Sequence, residues 1–211
     1  MSGHIDLTAM YVAHDALRRE LDQLAKVTAV GGDEPRRVLA TAVGWELFKK
    51  VLHVHHTAED EALWPAMREG LAGQTENLAL LEAMELEHAR IDPIIEAIDA
   101  AVVEPGPPSD RVGELVDALS TSLRGHLRHE ETDALPLIDA TVTVEQWQRF
   151  GQVNGRLVGS EAPRIIPWML DGASPEAIAK LLAPLPEPAR QTYHDQWQPA
   201  YAALDLWRAT H

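Results

Sequence analysis

The chain has 211 residues, 45% of them apolar and 24% charged, a balance that supports a packed core and argues against disorder. It contains no cysteine, which excludes disulfides, thiolate zinc sites, iron–sulfur clusters and a cysteine nucleophile. The net charge of −15 opposes binding to a phosphate backbone, and residues 1–140 carry nearly all of it, with 12 Lys/Arg against 26 Asp/Glu. No basic stretch leads into an apolar run at the N-terminus, and no apolar run approaches membrane-spanning length. The expectation is a soluble cytoplasmic protein with no nucleic-acid and no membrane partner.

Gly and Pro punctuation divides the first part into four helical segments, about 6–29, 34–69, 75–103 and 110–139. Gly31-Gly32, Gly70 to Gly73 and Pro105-Gly106-Pro107-Pro108 mark their ends. Apolar residues recur at helical spacing in each, and one histidine per segment shares the apolar face. His14 lies among Met10, Leu17, Leu21 and Leu24, and His55 among Val51, Leu52, Ala62 and Leu63. His88 lies among Leu81, Met84, Ile91 and Ile95, and His126 among Leu115, Leu119, Leu123 and Leu137. The pattern predicts an all-α, up-down-up-down four-helix bundle over 1–140, with a helical C-terminal extension over 141–211.

In that extension, Thr143 with Gln146 reads as a capping box opening a helix to about 157. Ser174-Pro175-Glu176 reads as an N-cap with proline at the first helical position, opening a short helix to about 182. Pro184, Pro186 and Pro188 precede a last helix expected to kink at Pro199. The extension holds four of the six Trp and two of the three Tyr. It reads either as a cover packed on the bundle or as a homodimer interface or lid over a substrate pocket, since Trp and Tyr are enriched at interfaces.

The bundle carries one motif twice. His55-His56-Thr57-Ala58-Glu59-Asp60 runs on to Pro65, and His126-Leu127-Arg128-His129-Glu130-Glu131 runs on to Pro136. Aligned on the prolines, His55 falls on His126, Glu59 on Glu130 and Asp60 on Glu131. A His and a Glu four residues apart share one helical face, so both side chains can reach one point. Upstream, His14 precedes His55 by 41 residues and His88 precedes His126 by 38, as expected of two helical hairpins related by an approximate internal duplication.

Four inward histidines and two inward glutamates are costly to bury without a cation. Imidazole and carboxylate without sulfur suit iron, manganese or zinc. Two such halves make a binuclear site in which Glu59 and Glu130 serve as natural bridging carboxylates. Each ion receives two histidines and shared glutamate oxygens, which on iron leaves positions open for water, an oxo or hydroxo bridge and a diatomic ligand.

The remaining histidines have weaker claims. His53 and His56 stand about 200° and 100° around the helix from His55, which predicts that both face solvent or a helix boundary. His129, three residues after His126, is a candidate partner to a ligand or a surface residue. His4, His194 and His211 have no supporting pattern. A ferritin-like site needs two Glu-x-x-His motifs, and only Glu85 to His88 is present. The His-Glu-x-x-His of zinc proteases is absent.

On these motifs, residues 6–140 resemble the hemerythrin-like (HHE cation-binding) family, four-helix bundles that hold a non-haem di-iron centre. The resemblance implies two iron ions with His14, His55, Glu59, His88, His126 and Glu130 as ligands, the two glutamates bridging. The family includes oxygen carriers, oxygen and nitric oxide sensors and proteins linked to repair of iron centres. Oxygen carriers have a further histidine four residues before the third-helix His, where this chain has Met84. They also have Asp in place of Glu130, at a different spacing. The pattern is closer to bacterial iron-centre-repair and mycobacterial hemerythrin-like proteins, and it implies an open coordination position in place of reversible carriage. Tyr11 and Glu85, each three residues before an inward His, are the candidates to fill that position.

Three functions fit this reading. One is chemistry at the di-iron centre on O2, peroxide or NO, or on an organic substrate. Another is O2 or NO binding or sensing without turnover, and the last is iron storage or delivery.

Overall fold

The computed structural model describes residues 5–104 and 110–209 and, among these, is all-helical. The first segment is α1 (Thr8–Thr28). The second is divided into α2 (Glu34–Leu39) and α3 (Val43–Ala58), which passes through a π-helical turn, Glu59–Leu63, into α4 (Trp64–Gly70). The third is α5 (Thr75–Val103), 29 residues long. The fourth is α6 (Arg111–His129), a second π-helical turn, Glu130–Ala134, and α7 (Leu135–Thr141). The linker expected at Pro105 to Pro108, and the N- and C-terminal His4 and His211, lie outside the described residues.

The expected single helix over 34–69 is interrupted at Ala40–Ala42, where Ala42 is extended (φ −70°, ψ 124°). The break frees the Gly44 N–H, which donates to the carbonyl of Leu206 at 2.7 Å. The two π turns answer to the prolines that follow them. Proline lacks an N–H and its ring crowds the carbonyl four residues back, so a continuing helix must yield there. Here Trp64 N–H reaches back five residues to Glu59, and Leu135 N–H to Glu130, one residue before Pro65 and Pro136. The same spacing recurs in the extension, where a π turn, Tyr193–Trp197, precedes Pro199. The kink expected at Pro199 is therefore a wide turn just ahead of it. Pro93 sits inside α5 with no π turn.

Two buried apolar clusters flank the middle of the bundle. One contains Leu17, Leu21, Phe48, Leu52, Ile91, Leu119 and Leu123. The other contains Met10, Leu63, Trp64, Leu81, Met84, Leu135 and Ile138. On α1, α3 and α5 an inward histidine separates residues of the first cluster from residues of the second, and in the fourth segment His126 and Glu130 lie between Leu123 of the first and Ala134 of the second. A polar layer thus crosses the bundle between two dry cores.

After the bundle come α8 (Val144–Val158), α9 (Ala162–Leu170), α10 (Pro175–Leu182), α11 (Glu187–Thr192) and α12 (Gln198–Ala202). Both predicted caps form. Gln146 N–H donates to Thr143 Oγ1 at 3.2 Å while Thr143 N–H donates to Gln146 Oε1 at 2.8 Å, and Ala177 N–H donates to Ser174 Oγ at 3.2 Å. Ile165, Trp168 and Tyr201 share a cluster with the helices of the bundle. Arg19 on α1 donates to the carbonyls of Trp168 and Asp171, and Trp207 Nε1 donates to the buried Glu20 at 2.8 Å. Among the described residues no helix is long and apolar enough to cross a membrane.

Candidate metal centre

The four expected histidines and both glutamates come together in the polar layer. His14, His55, His88 and His126 are each no more than 4% exposed, and Glu59 and Glu130 are wholly buried. His14 arrives from α1, His55 from the last turn of α3, His88 from mid-α5 and His126 from the last turn of α6. Each glutamate opens a π turn, so the wider backbone ring that the proline requires lies where the carboxylate projects. His14, His55, Glu59 and Glu130 each offer an atom within 4.8 Å of the others, and His56, His88 and His126 do the same. Both groups have the donor chemistry and spacing of a cation site.

The nitrogens aim inward. His14 Nε2 is 3.1 Å from His55 Nε2, and His88 Nε2 is 3.2 Å from His126 Nε2. In the second pair both outer nitrogens face carboxylates, His88 Nδ1 at 3.0 Å from Asp60 and His126 Nδ1 at 2.9 Å from Glu87. With each Nδ1–H donating outward, the neutral rings turn two lone pairs toward one another, an arrangement that a cation between them satisfies. Glu59 lies between the pairs, Oε1 at 3.3 Å from His55 Nε2 and Oε2 at 3.4 Å from His88 Nε2. Glu130 Oε2 is 3.0 Å from His14 Nε2 and 3.9 Å from His126 Nε2. The four carboxylate oxygens make no hydrogen bond among the described residues, and the groups closest to them are the inward imidazoles of the cluster itself. Orphaned buried carboxylates are the signature expected of a cation site, because burial without a partner costs several kcal/mol.

Titration behaviour follows from this crowding. Burial, and then the facing Glu130, pushes the Glu59 carboxyl well above the usual range. For Glu130 burial acts the same way but is outweighed by the charge and contact of His14, which holds it down to about 2. Burial opposes protonation of His14, yet Glu130 and Glu131 raise it to about 9. Burial and the neighbouring His14 drive His55 down to about 3, and burial lowers His126. Burial and crowding thus oppose charge on Glu59, whereas His14 favours it on Glu130.

The outer partners cross between the halves. The residue after each glutamate holds the upstream histidine of the opposite half: Glu131 receives His14 Nδ1 at 2.8 Å, and Asp60 receives His88 Nδ1 at 3.0 Å. Arg18 clamps Glu131 through two hydrogen bonds of 2.8 Å. Glu87 receives both His126 and His129, each at 2.9 Å, so His129 acts on a partner of the cluster and stays at its edge.

His56 corrects the sequence reading. It is only 5% exposed, stacks on His88 with ring centroids 3.9 Å apart and 9° between planes, and shares the cluster with His88 and His126. The helical-wheel argument fails because the inward arc of α3 is wider than one residue: His55 faces His14, while His56, about 100° further round, faces His88 and His126. The candidate substitutes for the missing histidine do not reach the cluster. Tyr11 is 45% exposed, and Glu85 is bound through both oxygens by Arg68. Met84 is fully buried in an apolar cluster, and His53 and His194 are exposed.

Residues 6–138 match the model of the hemerythrin HHE cation-binding domain. Among curated proteins the chain is similar to two Arabidopsis thaliana proteins named as BRUTUS-like zinc finger proteins. One is 22% identical over 205 residues and the other 21% over 215, each match covering 92% of this chain. The chain spans only 16% and 17% of the length of those relatives. A match that leaves out so little of this chain necessarily enters the extension beyond residue 140. No solved structure matches the chain.

Proposed function

The chain belongs to the hemerythrin HHE cation-binding family, and on that premise we propose that it is a non-haem di-iron protein that binds and reacts with O2, peroxide or NO. His14 and His55 would hold one ion and His88 and His126 the other, with Glu59 and Glu130 placed to serve both. The observation that carries this reading is the placement of Glu59, one oxygen 3.3 Å from a histidine of the first half and the other 3.4 Å from a histidine of the second. A carboxylate spanning two cations takes that position. The donor set, imidazole and carboxylate without sulfur, suits iron, manganese or zinc, and membership of the family supports iron among them.

When bound, an iron pair supplies Lewis acidity, one-electron redox changes and positions open to a small ligand. The protein supplies orientation and dryness. Glu131, Asp60 and Glu87 hold the outer nitrogens of His14, His88 and His126, which fixes ring direction and makes the inner nitrogens better donors. Trp64, Leu63 and Met84 on one side, with Leu52, Ile91 and Leu123 on the other, exclude bulk water from the layer.

The test is anaerobic loading with Fe(II), followed by optical spectra on separate addition of O2, peroxide and NO. The reading predicts a distinct spectral change with at least one of them in the wild-type chain, abolished in Glu59→Ala. An iron-loaded chain whose spectrum is indifferent to all three would overturn it.

A further inference from the structure

The polar layer holds one buried group that a symmetric pair of ions leaves unused. His56 Nε2 is buried and has no hydrogen-bond partner among the described residues. The ring lies flat against His88 and edge-on to His126, at centroid distances of 3.9 and 5.3 Å. Its ligating atom falls within 4.8 Å of theirs. In the second half the residue after the inward histidine is Leu127, fully buried in the apolar core. The register position therefore accepts an ordinary apolar side chain. Burying an imidazole there with an unmade hydrogen bond is costly unless something binds it.

Resting on the di-iron reading, we propose that His56 is a fifth histidine ligand, bound through Nε2 to the ion held by His88 and His126. It supplies from α3 the imidazole that α5 lacks at Met84. The two ions are then unequal: three histidines and the bridging glutamates on one, two histidines and the same glutamates on the other. Coordination vacancy is concentrated on the ion of His14 and His55, so an incoming small ligand is directed there.

Co(II) titration of the metal-free full-length chain, followed by its visible absorption and by competition with a chelator, tests this. The comparison sets wild type beside His56→Leu, which copies Leu127, His56→Gln, and the exposed His53→Leu as control. Two Co(II) per wild-type chain are expected. Both His56 variants should weaken one of them at least tenfold and shift its absorption, leaving the other ion and the control unchanged. Two ions bound with unchanged affinity and spectrum in a folded His56 variant overturn the proposal and leave the two-ion reading standing. A wild-type chain that holds a single ion overturns the two-ion reading, and loss or retention of that ion in the variants still decides His56. If neither variant folds, the 15N-histidine spectrum of the zinc-loaded wild type decides it. Five metal-bound imidazoles support the proposal and four or fewer overturn it.

Discussion

Residues 6–69 and 75–140 each place a histidine on one helix and a His-x3-Glu on the next, but they surround those ligands differently. The residue after the second histidine is His56 in one half and Leu127 in the other. The residue before the first is Ala13 against Glu87, which holds both His126 and His129. The residue after the glutamate is Asp60 against Glu131, and only Glu131 is clamped by Arg18. Inward spacing is rigid because helix geometry leaves few positions that reach the bundle axis. The outer groups are looser, because any carboxylate within reach of Nδ1 can orient a ring. Both halves also carry a proline six residues after the glutamate, which ties the π turn to the ligand position.

The comparison breaks most visibly at the shared glutamates. Glu59→Ala and Glu130→Ala should each cost at least one ion per chain, read by elemental analysis, because each serves both halves. Loss confined to one of the two variants would show that the halves do not share them. Removing metal altogether should lower the melting temperature. The difference should correspond to about 4 kcal/mol for each bound ion when free metal had stood at 1,000 times its Kd.

Crossing of the outer partners gives a finer test. Glu131→Gln should weaken the ion of the first half, through His14, and Asp60→Asn the ion of the second, through His88, each by about 10–100-fold in chelator competition. Weakening of the opposite ions would mean that the partners do not cross.

The pH response should take opposite signs in the two forms. His14, raised to about 9, stabilises the metal-free fold fully below its ordinary 6.5, and that contribution is lost as pH rises through 9. Glu59, pushed well above the carboxylate range, acts in the same direction, since its ionisation disfavours the fold. Metal must displace these protons, so affinity should rise with pH over the same window and loading should release protons, measurable by calorimetry in two buffers. The smallest effect is His53→Ala, expected to leave affinity and stability within about 0.5 kcal/mol.

Much of this architecture is legible in the residues. Gly31-Gly32 and Gly70 to Gly73 mark helix ends, Thr143 and Ser174 announce their caps, and the matched prolines align the ligands. The break at Ala42 is not legible, because its counterpart, the Leu206 carbonyl, is remote in sequence. Nor are the π turns, which hydropathy does not register, although a proline six residues after a buried glutamate marks both. His56 escapes because a wheel centred on His55 assumes a narrow inward face, whereas α3 turns His55 to His14 and the adjacent His56 to His88 and His126. The crossed pairing of Asp60 and Glu131 depends on how the halves dock, which periodicity within a helix does not encode.

Iron content measured together with Mössbauer spectra, on chain made under iron-replete conditions, tests the central claim most directly. The account predicts about two iron ions per chain in two unequal, coupled environments. A reproducible single ion, or zinc in place of iron despite abundant iron, would contradict it.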